Sequence, residues 1–323
     1  MPVTSVVKDP ETLSLTVHAE FPVPVSRLWD AYLDARQIEK FWGPVECPAT
    51  FTRHDATAGG RSNYHMTSPE GEEHHGYWIW HEVVEHKFFE VSDGFAYADG
   101  TENTTLPVNR MVFTFDPTPE GSKLSVSAVF ETVEDLEKVV AMGMIEGTRS
   151  AMSQIEQVLA DLRDYAQNFS TDTQILSDTQ VRVTRLIRGS VAQVWQAHHD
   201  EQLMKRWMLG PDGWEMTECV TAKNVGETYR YWWEPVAADA GTGFGFTGTV
   251  LEILPQSYSR TTEQMIDTDY PGTVNGLTLT PNDSGTLLTV LITYPDAQTR
   301  DMVLATGMTE GMEASYARLE SIL

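Results

Sequence analysis

The stretch VPVSRLWDAYLDARQIEKFWGP at residues 23–44 returns, altered but recognisable, as GSVAQVWQAHHDEQLMKRWMLGP at residues 189–211. Trp29 matches Trp195 and Lys40-Phe41 matches Arg206-Trp207, both at offset 166, while Gly43-Pro44 matches Gly210-Pro211 at offset 167. Further on, Gly60 pairs with Gly226 at offset 166, and GMIEG at 143–147 returns as GMTEG at 307–311, at offset 164. Matches in one order over so long a period mark a duplicated domain. The 323 residues are about right for two domains of roughly 150. We place them at 9–163 and 179–323, joined by the polar segment 164–178.

Composition narrows the partners. With 22 basic and 47 acidic residues the net charge is −25. Such a field repels phosphate backbones and anionic head groups, so neither nucleic acid nor a membrane surface is an expected partner. No run approaches the roughly 18 apolar residues of a membrane span. MPVTSVVKDPETL at the start lacks the basic and apolar regions of a secretory leader, and a cytoplasmic location is expected. Cys47 and Cys219, one in each half, are the only cysteines and are expected as two buried free thiols.

Each half repeats one order of elements. A strand (LSLTVHAEF; TQVRVTRLI) leads into two short helices that stop at a Gly-Pro turn, because proline cannot continue a helix. A run of strands follows. Ser62, Tyr64 and Met66 alternate with Arg61, Asn63 and His65, and Tyr229, Tyr231 and Trp233 alternate with Thr228, Arg230 and Trp232. A period of two with one polar face predicts an antiparallel sheet covered on one side. TPEGS and PNDSG predict hairpins between the last two strands of each half. A helix of about seven turns closes each half, over 133–162 and 298–323. The predicted class is α+β, a curved sheet around a long helix with a cavity between them.

The glycines of GMIEG and GMTEG fall inside those long helices. At about 100° per residue, Val133, Leu136, Val140, Met144, Ala151, Ile155, Val158 and Leu162 share one sector, with Gly147 inside it and Gly143 at its edge. Leu304, Met308, Ser315, Leu319 and Ile322 define the second sector, which holds Gly311. Glu146 and Glu310 point away and are expected in solvent. A glycine inside a helix costs about 1 kcal/mol relative to alanine. Two explanations stay open: close approach of strand side chains, or room for a ligand beside the flexible Met144 and Met308.

At this point the residues resemble a known family. AGGRSNYHM, DGFAYADGTENTTLPVNRMVFTF and GMIEG in the first half, with VGETYRYWW, FTGTVLEILP and GMTEG in the second, are similar to the activator-of-heat-shock-protein-90-ATPase homologues of the START-like (SRPBCC, helix-grip) superfamily. The resemblance implies two tandem helix-grip domains, each with a cavity for a small hydrophobic or aromatic molecule. It also raises a heat-shock-protein-90 chaperone as a partner, although the residues before Leu13 do not resemble the cochaperone's N-terminal chaperone-binding domain. A polyketide aromatase/cyclase-like enzyme is a third possibility within the superfamily.

Aromatics near the expected cavity could stack on a flat ligand. With the helix residues, the candidate contacts are Trp42, Tyr64, Trp78, Trp80, Phe95, Met144 and Gly147 in the first half, and Trp207, Tyr231, Trp233, Met308 and Gly311 in the second. No nucleophile elbow, phosphate loop or dinucleotide fingerprint occurs, and GTGFGFTG at 241–248 precedes a strand and reads as a hairpin turn. Seven of the nine histidines lie in the first half, which is therefore the half expected to hold a polar group; a general acid/base role would fall to His65 or His81. No histidine spacing makes a metal site, and no cofactor is expected. Ligand binding without catalysis is the favoured function.

Overall fold

Alternating apolar and polar side chains commit most of this chain to strands, and each strand run finds its partners within its own half. The computed structural model describes the backbone of residues 2–165, 170–210, 212–237 and 241–323, and all of their side chains but those of 161–165. The chain divides into two units, Met1–Gln167 and Asn168–Leu323.

In the first unit β1 (Val3–Asp9) and β2 (Ser14–Phe21) precede helices α1 (Val25–Leu33) and α2 (Ala35–Ile38). Six strands follow: β3 (Ala49–His54), β4 (Arg61–Thr67), β5 (Glu73–Val84), β6 (Phe88–Phe95), β7 (Asn109–Thr118) and β8 (Gly121–Val129). Helices α3 (Val133–Ala141) and α4 (Met144–Tyr165) end the unit. All eight strands form one antiparallel sheet in the order β1-β2-β8-β7-β6-β5-β4-β3. Asp34 starts α2 by accepting the Arg36 backbone N–H, the capping role for which aspartate is favoured.

The second unit repeats the pattern. β9 (Asp172–Ile175) and β10 (Gln180–Ile187) are followed by α5 (Val191–His199) and α6 (Glu201–Trp207). β11 (Trp214–Val220), β12 (Thr228–Pro235), β13 (Phe244–Leu254), β14 (Tyr258–Met265), β15 (Thr273–Asn282) and β16 (Gly285–Thr293) lead to α7 (Ala297–Leu304) and α8 (Met308–Glu320). The sheet order is again the same, with β9 and β10 at one end and β11 at the other. β9 lies within the segment 164–178 that the sequence marks as a joint, and β1 precedes the first strand expected from it. Both are outer strands, short or polar, without the alternation that reveals the others.

Several expectations need correction. The long closing helix is two helices in each unit, broken at Gly143 with φ +91° and Gly307 with φ +82°, backbone angles that L side chains rarely adopt. These glycines therefore end one helix and start the next, and only Gly147 and Gly311 sit within a helix. Of the first predicted inner sector, Leu136, Ile155 and Val158 are buried but Val133 is exposed; the side chain of Leu162 lies outside the described residues, as does Pro211 of the second Gly-Pro turn. Glu146 and Glu310 are exposed. GTGFGFTG is largely strand, since β13 begins at Phe244; Gly245 and Gly248 sit inside it because a side chain there would strike the Tyr231 and Thr262 carbonyl oxygens. The structural counterpart of Gly226 is Gly59, not Gly60: both have positive φ, and their N–H groups donate to Val250 O and Trp80 O. Cys219 is buried, whereas Cys47 is half-buried.

The registers align the two sheets residue by residue and expose a difference in filling. Phe89 faces Phe113 in the first sheet, where Ser259 faces Leu277 in the second. Ser62 faces Trp78 in the first, where Tyr229 faces Gly248 in the second. In the first unit these rings join one continuous core with Trp29, Tyr32 and Phe115, each large side chain contributing roughly 1.5–3 kcal/mol by burial. The second unit's core is split into smaller clusters.

Candidate functional site

In the first unit a cavity of about 280 Å³ lies between β4, β6 and β7 on one side and α4 on the other. Trp42, Tyr64, Phe95, Met144 and Gly147 all lie on its wall, with Met66 and Met111. A Cβ placed at Gly147 would meet no heavy atom within 4 Å. Close approach by strand side chains is thus not what keeps glycine there. Gly76, by contrast, is glycine because a Cβ would come within 2.5 Å of the Tyr64 ring, and that ring is pressed in against the wall.

Trp78 and Trp80 are not on the wall. Both are buried in the layer behind it, where Trp80 donates to Ser62 Oγ at 2.8 Å and Trp78 donates through Nε1 to Asp93 Oδ1 at 2.8 Å. Among the described residues, Asp93 carries the one carboxyl group lining this cavity. The Tyr64 hydroxyl donates to the same oxygen at 3.1 Å, and Asn109 Nδ2 donates to Oδ2 at 3.2 Å. Burial pushes the carboxyl up to about 6, although the three hydrogen bonds pull the other way. The sequence reading missed Asp93. Its signal was available: an acid in phase with Phe89, Val91 and Phe95 on an inward-facing strand.

The second unit holds two neighbouring cavities, of about 750 Å³ and about 440 Å³, that share Phe246, Glu263 and Met308. Trp207, Tyr231, Trp233, Met308 and Gly311 line the larger one. A Cβ at Gly311 would also meet nothing within 4 Å. Glu263 occupies on β14 the position that Asp93 holds on β6, each being sixth in an eight-residue strand. Burial raises its carboxyl, opposed by hydrogen bonds from Asn275 and from Tyr229, whose hydroxyl lies 3.4 Å from Oε2 and 2.9 Å from Thr262 O.

His198 also lines the larger cavity, on α5 at the place of Tyr32 on α1. Its Nδ1 donates to Val194 O at 2.8 Å, and burial pushes its pKa down to about 4. The imidazole is therefore neutral, with Nε2 as an acceptor. In the first unit the polar group on the cavity wall is Asp93 and not a histidine. His65 alternates with the wall residues Tyr64 and Met66 and so faces the opposite side of the sheet, while His81 is exposed and bonded to Ser92 Oγ at 2.7 Å. Neither can act on a molecule in the cavity.

Two repeats, each an eight-stranded antiparallel sheet with a glycine-broken helix pair and an acid facing an internal cavity, define a tandem α+β cavity protein. The chain belongs to the family of Activator of Hsp90 ATPase homolog 1-like proteins, whose model matches residues 22–160 and 188–323. Among solved structures it is similar to protein Ms6760 from Mycobacterium smegmatis, at 46% identity over 49% of this chain and 97% of that one, with a TM-score of 0.47. A protein from Arthrobacter aurescens is 38% identical over 49% of this chain and 92% of its own, with a TM-score of 0.48. The AHSA1-like protein from Aeromonas hydrophila is 18% identical over 44% of this chain and 93% of its own, with a TM-score of 0.38. No curated protein matches. Among the described residues no helix is long and apolar enough to cross a membrane.

Proposed function

We propose that each unit binds a small, largely apolar molecule between its sheet and its second closing helix, with Asp93 or Glu263 accepting a hydrogen bond from the molecule's one polar end. The observation that carries this reading is the open space beside Gly147 and Gly311. A glycine in a helix forgoes about 1 kcal/mol of helix propensity. Where nothing packs against it, a larger residue would be tolerated by the fold itself, so its absence points to an occupant. Methionine and aromatic walls suit a range of flat apolar shapes, and cavities of a few hundred Å³ suit small molecules. Trp42, Tyr64, Phe95, Met144 and Gly147 serve as contacts in the first unit, and Trp207, Tyr231, Trp233, Met308 and Gly311 in the second; Trp78 and Trp80 support the wall from behind. The family's name carries the chaperone-partner reading, whereas the cavities carry this one. No catalytic step is assigned.

The test uses N-phenyl-1-naphthylamine, a neutral apolar probe with a single N–H donor that brightens out of water. The wild-type protein is expected to take it up. Gly147→Leu and Gly311→Leu should each remove one unit's share of the signal, and the double variant nearly all of it, with unfolding midpoints showing that both units still fold. Undiminished uptake by the folded double variant would overturn the proposal.

A further inference from the structure

The face of the first sheet turned away from the cavity carries a cluster that no sequence spacing announces. His65 on β4 and His75 on β5 stand directly opposite each other in the antiparallel register, with ring centroids 5.6 Å apart. Glu73 lies two residues before His75 on β5, and period two places it on the same face. Its carboxylate reaches both rings: Oε1 is 3.7 Å from His65 Nε2, and Oε2 is 3.3 Å from His75 Nε2. One ligand atom from each of the three lies within 4.8 Å of the others.

Two ligands each about 2.0–2.1 Å from a common tetrahedral ion lie roughly 3.3 Å apart. The two carboxylate–imidazole separations are at or slightly above that value and all three ligand atoms lie within 4.8 Å of one another, so side-chain rotations close the set without moving the backbone. Three features favour occupation. Both imidazoles are largely covered, with side-chain exposures of 14% and 20%, while Glu73 at 51% leaves a route from solvent. The strands that fix the ligands belong to the core sheet, so ordering them costs little on binding. A chain of net charge −25 concentrates cations around itself.

We propose that His65, Glu73 and His75 form a surface site for a divalent transition-metal ion. Two imidazoles and one carboxylate suit zinc and its neighbours copper and nickel and disfavour calcium and magnesium, which take oxygen ligands. Three protein ligands leave the remaining position to water. No metal-ligand spacing is visible in the sequence because nine residues lie between the two histidines, and the β4–β5 register brings them face to face.

The experiment is a calorimetric titration of the chelator-treated full chain with zinc chloride. The wild type is expected to bind zinc at a site that His75→Ala and His65→Ala each lose and Glu73→Gln weakens. His74→Ala, which removes an exposed histidine from the other face of the same strand, should leave it intact. Circular dichroism confirms folding of each variant. If the wild type takes up no zinc, or the folded His65→Ala/His75→Ala double variant binds as the wild type does, the site is excluded.

Discussion

The Tyr64 hydroxyl donates to Asp93 Oδ1 over 3.1 Å, and the Trp78 indole shares that oxygen from the buried side. This holds a carboxyl group in an apolar wall with its pKa moved from 3.8 to about 6. Between those values the folded unit keeps a proton that the unfolded chain has released, so stability falls as pH rises through that window. Above it, the buried charge costs about 3 kcal/mol. Asp93→Asn keeps the acceptor for Tyr64 and Trp78 and removes the charge. The variant should raise the urea midpoint of the first unit at pH 8 and change it little at pH 4. Parallel profiles for variant and wild type would show that the charge carries no such cost.

In the second unit the sign is opposite. His198 is held neutral, with its pKa pushed from 6.5 down to about 4 by burial. The unfolded chain takes up the proton first, so this contribution is fully present above about pH 6.5 and is lost as pH falls towards 4, a change of about 3 kcal/mol. His198→Tyr installs the residue that stands at this position in the first unit. Its acid limb is expected to be flatter than that of the wild type when unfolding is followed from pH 7 to pH 4.

The two glycines of GMIEG should respond in opposite directions. At Gly143 φ is +91°, and Gly143→Ala is expected to destabilise the first unit by about 1–2 kcal/mol. Gly147 has ordinary helical geometry with open space beside it, so Gly147→Ala should stabilise by up to about 1 kcal/mol. Urea midpoints of the two variants measure both effects. Equal losses at both positions would mean that Gly147 too is held by its backbone.

Gly147→Leu reaches further into the same space and should lower probe uptake by the first unit without unfolding it. Fluorescence titration alongside Gly147→Ala separates blocking by bulk from any effect on the helix. A loss already complete in the alanine variant would point to the helix.

Local rules made much of this protein legible. Trp29 with Trp195, and GMIEG with GMTEG, announce the duplication, and the alternation of Ser62, Tyr64 and Met66 or of Tyr229, Tyr231 and Trp233 announces sheets with one covered face. The proline and glycine turns mark the ends of helices and hairpins because those residues constrain the backbone wherever they occur. The helix breaks at Gly143 and Gly307 escaped because a glycine in an amphipathic pattern has the same spelling whether it is helical or left-handed. The order of elements, the two repeats and the inward side of most strands can therefore be read from local patterns alone. Which inward residues meet was settled by packing between segments far apart in the chain. That packing put Trp78 and Trp80 behind the wall and Asp93 and Glu263 on it, and turned His65 away from the cavity and towards His75. Burial, cavity size and side-chain clusters arise from contacts between segments distant in the chain, and those contacts exist only once the strands have paired and the helices have packed on them.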